Sequence, residues 1–164
     1  MTEITTELVK QLRDKTGVSV MQCKKALEEA AGDIEKATAI LLEKSAEIAG
    51  KKSDRQLGAG VVSSYIHSTG TIGVMVELLC ETDFVAKNDE FKNLARDIAM
   101  HVSATNPLFL KTEDVTAGSE EVALLDQPFI KNPEVTITNL LSSATQKFGE
   151  KIEVSRFVRY SVGQ

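Results

Sequence analysis

"CETDFVAKNDEF", residues 80–91, lies where one hydrophobic rhythm stops and another starts. Before it, "TIGVMVELLC", residues 71–80, sets Ile72, Val74, Val76, Leu78 and Cys80 at every second position, with Thr71, Gly73 and Glu77 on the other side. That is the period of a half-buried strand. After it, Phe91, Leu94, Ala95, Ile98 and Val102 recur at helical spacing. Asn88 stands where a cap is needed, and Asp89 and Glu90 occupy the first turn, where the helix dipole favours acids. Strand into helix across a short polar connection points to an α+β fold. The connection also raises a question, because Phe84 and Val85 stand in its middle behind Asp83. Either the ring plugs the core beneath, or it is held out for something else to receive.

Upstream, "GVVSSYIH" and the strand above flank Ser68-Thr69-Gly70, an antiparallel hairpin signal. Downstream, "KIEVSRFVRYSV" alternates again, with Ile152, Val154, Val158 and Tyr160 nearly on one face. Between them, Ile137, Leu140, Leu141 and Ala144 mark a helix stopped by Gly149. Residues 111–133 are less regular; a short helix over 119–125 is expected, and "QPFIKNP" reads as extended and proline-limited. The expected core, residues 60–164, is thus a small antiparallel sheet of about three strands packed with helices.

Residues 1–50 carry three shorter helical patterns. Ile4, Leu8, Val9 and Leu12 form the first, broken at Thr16-Gly17; Val20, Met21, Ala26, Leu27 and Ala30 form the second, ending at Gly32. Asp33 caps the third, with Ile34, Ala37, Ile40, Leu41 and Ile48 as its stripe. "GKKSDRQLGAG", residues 50–60, is glycine-bearing, charged and aperiodic, so 51–59 is expected to be a linker behind a tight three-helix module.

Composition narrows the function. The chain has 164 residues and a net charge of −5, which argues against a nucleic-acid surface. Its largest basic cluster, Lys51 and Lys52 with Arg55, reads as a solvated linker. No apolar run approaches the roughly 18 residues that span a bilayer, and the N-terminus has no signal-peptide pattern. Cys23 and Cys80 form no CxxC pair, so a disulfide framework and a zinc site are both disfavoured and a reducing cytoplasm is the default. His67 and His101 lack ligand-spaced neighbours. Glu81, Asp83, Asp89 and Glu90 form an acidic group that can attract magnesium, but two of them are explained as helix-start charges. With no glycine-rich phosphate loop, GxSxG or HExxH, the expectation is no metal, no cofactor and no catalytic residue.

Two segments carry a resemblance. "LVKQLRDKTGVSVMQCKKALEEAAGDIEKA", residues 8–37, and "TDFVAKNDEF", residues 82–91, resemble bacterial and organellar elongation factor Ts, the nucleotide-exchange factor for elongation factor Tu. "QPFIKNP" and "FVRYSVG" are similar to that family's closing segments. The resemblance implies a UBA-like N-terminal module that grips the nucleotide domain of elongation factor Tu, with Leu12, Val20 and Met21 matching contact positions. Core packing is the alternative for those three, and in so small a bundle one residue can serve both roles. It further implies that Thr82, Asp83, Phe84 and Val85 reach the partner's magnesium and nucleotide site, Phe84 as the wedge. There are departures. Val18, Ser19 and Val20 precede Met21 where the family usually has glycine and methionine pairs, and the chain is too short for the second core subdomain or helical hairpin of longer members. It resembles the short, single-core type, whose members tend to pair, so a homodimer or a two-plus-two complex is expected. A protein-interaction adaptor built on the helical module is the other reading.

For Phe84 itself, three features favour the outward position. Phe91 already anchors the helix, Leu78 and Cys80 already serve the strand's core face, and Asp83 is costly to bury without a partner.

Overall fold

The computed structural model describes residues 3–164. Three antiparallel strands, β1 (Ala59–Ile66), β2 (Ile72–Cys80) and β5 (Glu153–Ser161), form a sheet in the order β1-β2-β5. The pattern that made β2 legible is the pattern it buries: Val74, Val76, Leu78 and Cys80 are inside, and Met75 between them is half exposed. Pairing with β1 runs from Ala59↔Cys80 to Ile66↔Gly73, and the hairpin closes on the His67 N–H to Ile72 carbonyl bond of 2.9 Å. Gly60 is required by close approach, since a Cβ there would stand 2.4 Å from the Leu78 carbonyl oxygen.

Next in the chain come a single turn, α4 (Asp83–Ala86), and α5 (Asp89–Thr105). Asn88 caps α5 by accepting the Glu90 N–H at 2.8 Å. Asn106, at φ 47, ends it in the left-handed conformation that asparagine tolerates. Phe91, Ala95, Ile98, Ala99 and Val102 form its buried face, and α5 packs against β1 and β2. Leu94, expected on that face, is only half buried.

The final strand differs from expectation. Ile152 and Val154 point inward, but Val158 and Tyr160 are exposed on the other face, Tyr160 at 73%. The ladder with β2 slips between Glu77 and Leu78: Glu77 faces Arg156, while Leu78 faces Val154. Ser155 is thus the extra residue of a β-bulge, and one inserted residue inverts every later side chain in a period-2 strand. Its hydroxyl donates to the Glu77 carboxylate, and this bond holds that carboxyl below its usual pKa.

Residues 119–125 do not form the expected helix. Only a 3-10 turn, Leu124–Asp126, is present, with another at Thr112–Asp114. The N–H groups of Leu124 and Leu125 donate to the carbonyls of Phe109 (2.8 Å) and Leu110 (3.2 Å), partners distant in sequence that preclude helical bonding. The extended "QPFIKNP" becomes a miniature hairpin, β3 (Pro128–Phe129) with β4 (Asn132–Thr136). Buried His101 ties it to α5: Nδ1 accepts the Ile130 N–H at 3.2 Å, so the proton sits on Nε2, which donates to Gln127 Oε1 at 2.9 Å.

The N-terminal helices are α1 (Thr6–Thr16), α2 (Val20–Glu29) and α3 (Ile34–Lys51), with Thr5, Ser19 and Asp33 as side-chain caps. Gly17 closes α1 at φ 70. Their shared core is Leu12, Val18, Cys23, Ala26, Leu27, Ala30, Ala37 and Leu41. α3 runs to Lys51 and β1 begins at Ala59, so regular structure trims the expected linker. The described residues through Asp54 form one compact unit together with Leu141–Glu150, from α6 (Ile137–Phe148) and the turn after it. Arg55–Leu140 and Lys151–Gln164 form the other. A division into 1–50 and 60–164 leaves out this assignment of 141–150, which follows from packing: Ser45 donates to Gln146, and Gln146 lies beside Leu41 and Ile48.

Burial lowers the pKa of His101. The folded state therefore holds the neutral ring, while the unfolded chain takes up a proton below about pH 6.5. Stability should fall as pH drops through that value and level off below the folded pKa. Urea midpoints measured from pH 8 to 5 should show this component in the natural chain and lack it in His101→Gln.

Candidate functional site

The segment 82–88 joins a strand to a helix across one turn. Thr82 is extended (φ −129, ψ 154), after which the chain winds once: Ala86 N–H donates to the Thr82 carbonyl at 3.2 Å and Lys87 N–H to that of Asp83 at 3.0 Å. Successive residues in a helical turn point about 100° apart, so adjacent side chains must face different ways. Val85 and Ala86 take the inner side, 5% and 6% exposed, where α4 meets β1, β2 and α5. Phe84 takes the outer side and is 87% exposed; Thr82 and Asp83 are exposed too. The question posed by the sequence has a split answer. Val85 is the core plug, and Phe84 is held out. Leaving such a ring in water forgoes roughly 1.5–3 kcal/mol of burial.

The second expected surface is at the start of α2. Val20 is 52% exposed and Met21 70%, side by side just after the Ser19 cap. Leu12, expected with them, is fully buried in the helical core, as the core-packing alternative has it. The Thr16 hydroxyl donates to its carbonyl at 2.7 Å. Cys23 is buried nearby, and burial raises its thiol pKa. Periodicity alone could not separate Leu12 from the exposed pair, because all three are apolar residues at helical spacing.

A third surface had a weaker signal. On the sheet face opposite the core lie Val62, Ile66, Met75, Val158 and Tyr160, all exposed by between 38% and 73%. The register unites them: Met75 pairs with Val158, and Gly73 lies between Ile66 and Tyr160. Val62, Ile66 and Met75 are apolar residues at the solvent positions of alternating strands, which was the clue. Val158 and Tyr160 join them only through the bulge.

The acidic group does not converge. Glu81 turns its carboxylate to Arg55 and the Lys151 N–H, while Asp89 stands exposed in the first turn of α5. Among the described residues no group of three or more His, Cys, Asp or Glu is placed to hold a metal ion, and no helix is long and apolar enough to cross a membrane.

Comparison with known proteins adds the family. The model of the family described as Elongation factor TS matches residues 2–119 and 117–164. The elongation factor Ts of Carboxydothermus hydrogenoformans is 45% identical over 195 aligned positions, covering 98% of this chain and 90% of that protein. The elongation factor Ts of Thermodesulfovibrio yellowstonii is 45% identical over 194, covering 98% and 97%. That of Desulfosudis oleivorans is 40% identical over 198, covering both chains fully. These alignments are longer than the 164 residues here, so the relatives carry internal residues that this chain lacks. The family match breaks in two at 117–119, in the turn where Ser119 N–H meets the Thr116 carbonyl.

The split of Phe84 from Val85 predicts opposite stabilities. Val85→Ala should cost about 1–3 kcal/mol, as a large-to-small change in a packed core, and Phe84→Ala should cost under about 0.5 kcal/mol, as a surface change. Urea unfolding of the two variants measures both.

Proposed function

The chain belongs to the elongation factor Ts family of translation elongation factors, and on that premise we propose that it binds GDP-loaded elongation factor Tu and speeds exchange of GDP for GTP. The observation that carries the reading is Phe84, a large apolar ring held in water by a turn whose next two residues are locked in the core. An exposed aromatic on a rigid support is suited to enter a pocket of a partner, since little freedom is lost on binding. In this reading Phe84 intrudes near the magnesium and nucleotide site of elongation factor Tu, with Thr82 and Asp83 shaping the approach and Val85 holding the turn in place. Val20 and Met21 supply a separate docking contact on the nucleotide domain, and Leu12 supports them from within the helical core.

No covalent step is involved. A factor that weakens GDP binding tenfold must hold the nucleotide-free partner about 1.4 kcal/mol more tightly than the GDP-bound one, and incoming GTP then expels the factor by the same coupling. The work is done by differential binding, in the cytoplasm where translation takes place.

The open sheet face supports a homodimer, free or as a two-plus-two complex with elongation factor Tu. Five exposed apolar side chains on one three-stranded surface are more than a monomer ordinarily leaves uncovered.

Release of labelled GDP from elongation factor Tu tests the reading. The protein should raise the release rate, and Phe84→Ala should reduce that effect at least about tenfold, the equivalent of 1.4 kcal/mol. Normal exchange by Phe84→Ala would refute the wedge. Val20→Ala with Met21→Ala should instead weaken affinity and leave the rate at saturation near normal. Light scattering should give twice the monomer mass, and Met75→Asp should return it to one; a monomer at all concentrations would end the dimer reading.

A further inference from the structure

We propose that Glu81 is a positioning residue for exchange: its carboxylate clamps the end of β2 from both sides and so sets the direction in which Phe84 projects. The proposal rests on the exchange reading above.

A helix of one turn has almost no stability of its own, so something outside α4 must decide its orientation. Downstream, Val85 and Ala86 pin it to the core. These anchors, with the Asn88 N–H bonded to the Val85 carbonyl at 3.0 Å, hold the downstream end of the turn, so the direction of its upstream end, where Phe84 stands, depends on what holds residues 80–82. Upstream, the backbone ladders give out just before they are needed. The last β1–β2 pair is Ala59↔Cys80 and the last β2–β5 pair is Leu79↔Glu153. Glu81 lies beyond both, and its side chain takes over.

Oε1 accepts the backbone N–H of Lys151 at 2.7 Å, a short charge-assisted bond to the segment that leads into β5. Arg55, in the segment that leads into β1, brings Nη1 to 3.4 Å from each carboxylate oxygen. Gly58, on the same approach, runs so close that a Cβ there would sit 3.4 Å from the Glu81 carbonyl oxygen. The carboxylate therefore joins three stretches of chain at one point, and the next residue, Thr82, starts the turn that carries Phe84. Glu81 is partly covered, its side chain 19% exposed, but it is no member of the apolar core; Cys80 is the last fully buried residue of the strand. Loss of the Glu81 carboxylate should loosen the upstream end of the turn while Val85 and Ala86 keep their place in the core. Since misplacing a reacting group by about 1 Å can cost as much as a hundredfold in rate, a loosened turn suffices to impair a wedge.

The test is GDP release from elongation factor Tu, with rate and half-saturating concentration determined separately. Wild-type protein is measured first: if it fails to accelerate release, the exchange reading falls, independently of Glu81. Given wild-type exchange, Glu81→Ala should lower the saturating rate about tenfold, with half-saturation changed less than twofold. Glu81→Gln, which keeps an oxygen acceptor for the Lys151 N–H, should recover the rate to within about threefold of wild type. Glu81→Asp, one methylene short of that N–H, keeps the charge if the alanine variant does not fold, and should lose rate at least threefold. Wild-type rates in the alanine or aspartate variants would overturn the proposal. So would a glutamine variant as slow as alanine, or a loss confined to half-saturation.

Discussion

The packing of α5 across β1 and β2 is the contact on which the larger unit depends. β2 must bury Val74, Val76, Leu78 and Cys80, and α5 brings Phe91, Ala95, Ile98 and Val102 to the same side of the sheet. Both elements are committed by their own side chains, and only residues 81–88 join them. A connection that short has to turn the chain within one helical winding. One side of that winding faces the core, and Val85 and Ala86 fill it. The other side faces water, whatever residue stands there. The display of Phe84 is thus a geometric by-product of the main packing contact.

The same economy appears at the ends of the sheet. Where the backbone ladders stop or slip, side chains bridge the gap: Glu81 holds Lys151 and Arg55 beyond one end of β2, and Ser155 bonds Glu77 at the bulge within the β2–β5 ladder. These bonds contribute modestly to stability, about 0.5–1.5 kcal/mol for a typical hydrogen bond and somewhat more when charged. Their larger effect is on direction. A single bulge residue decides that Val158 and Tyr160 face away from the core, and so extends onto the third strand the outer apolar face that Val62, Ile66 and Met75 begin.

The helical unit follows a different logic. Its core is built from small and medium side chains, with Ala26, Ala30 and Ala37 beside Leu12, Leu27 and Leu41. Short helices of this kind draw most of their stability from mutual packing and from caps, here Thr5, Ser19 and Asp33. A bundle so thin cannot shield every apolar residue. Leu12 is wholly covered, while Val20 and Met21, at the start of α2, stay exposed.

The sequence by itself determined what depends on neighbours a few residues away. Period 2 in residues 71–80, period 3.6 from Phe91 to Val102, the caps at Asp33 and Asn88 and the stop at Gly17 are all local, and each appears where local chemistry requires it. Phe84 was legible as an outward residue because nearby residues already met the needs of the core. Tertiary structure decided what depends on partners distant in the chain. Residues 119–125 have enough helical character to suggest a helix, yet Phe109 and Leu110 take their N–H groups. The bulge at Ser155 exists only against the β2 ladder, so no reading of β5 alone could place Val158 and Tyr160. Leu12 and Met21 share one spacing pattern, and only the packed bundle assigns one to the core and the other to solvent. Residues 141–150 group with the N-terminal helices because Gln146 meets Ser45, a contact spanning 101 positions that periodicity within α6 does not encode.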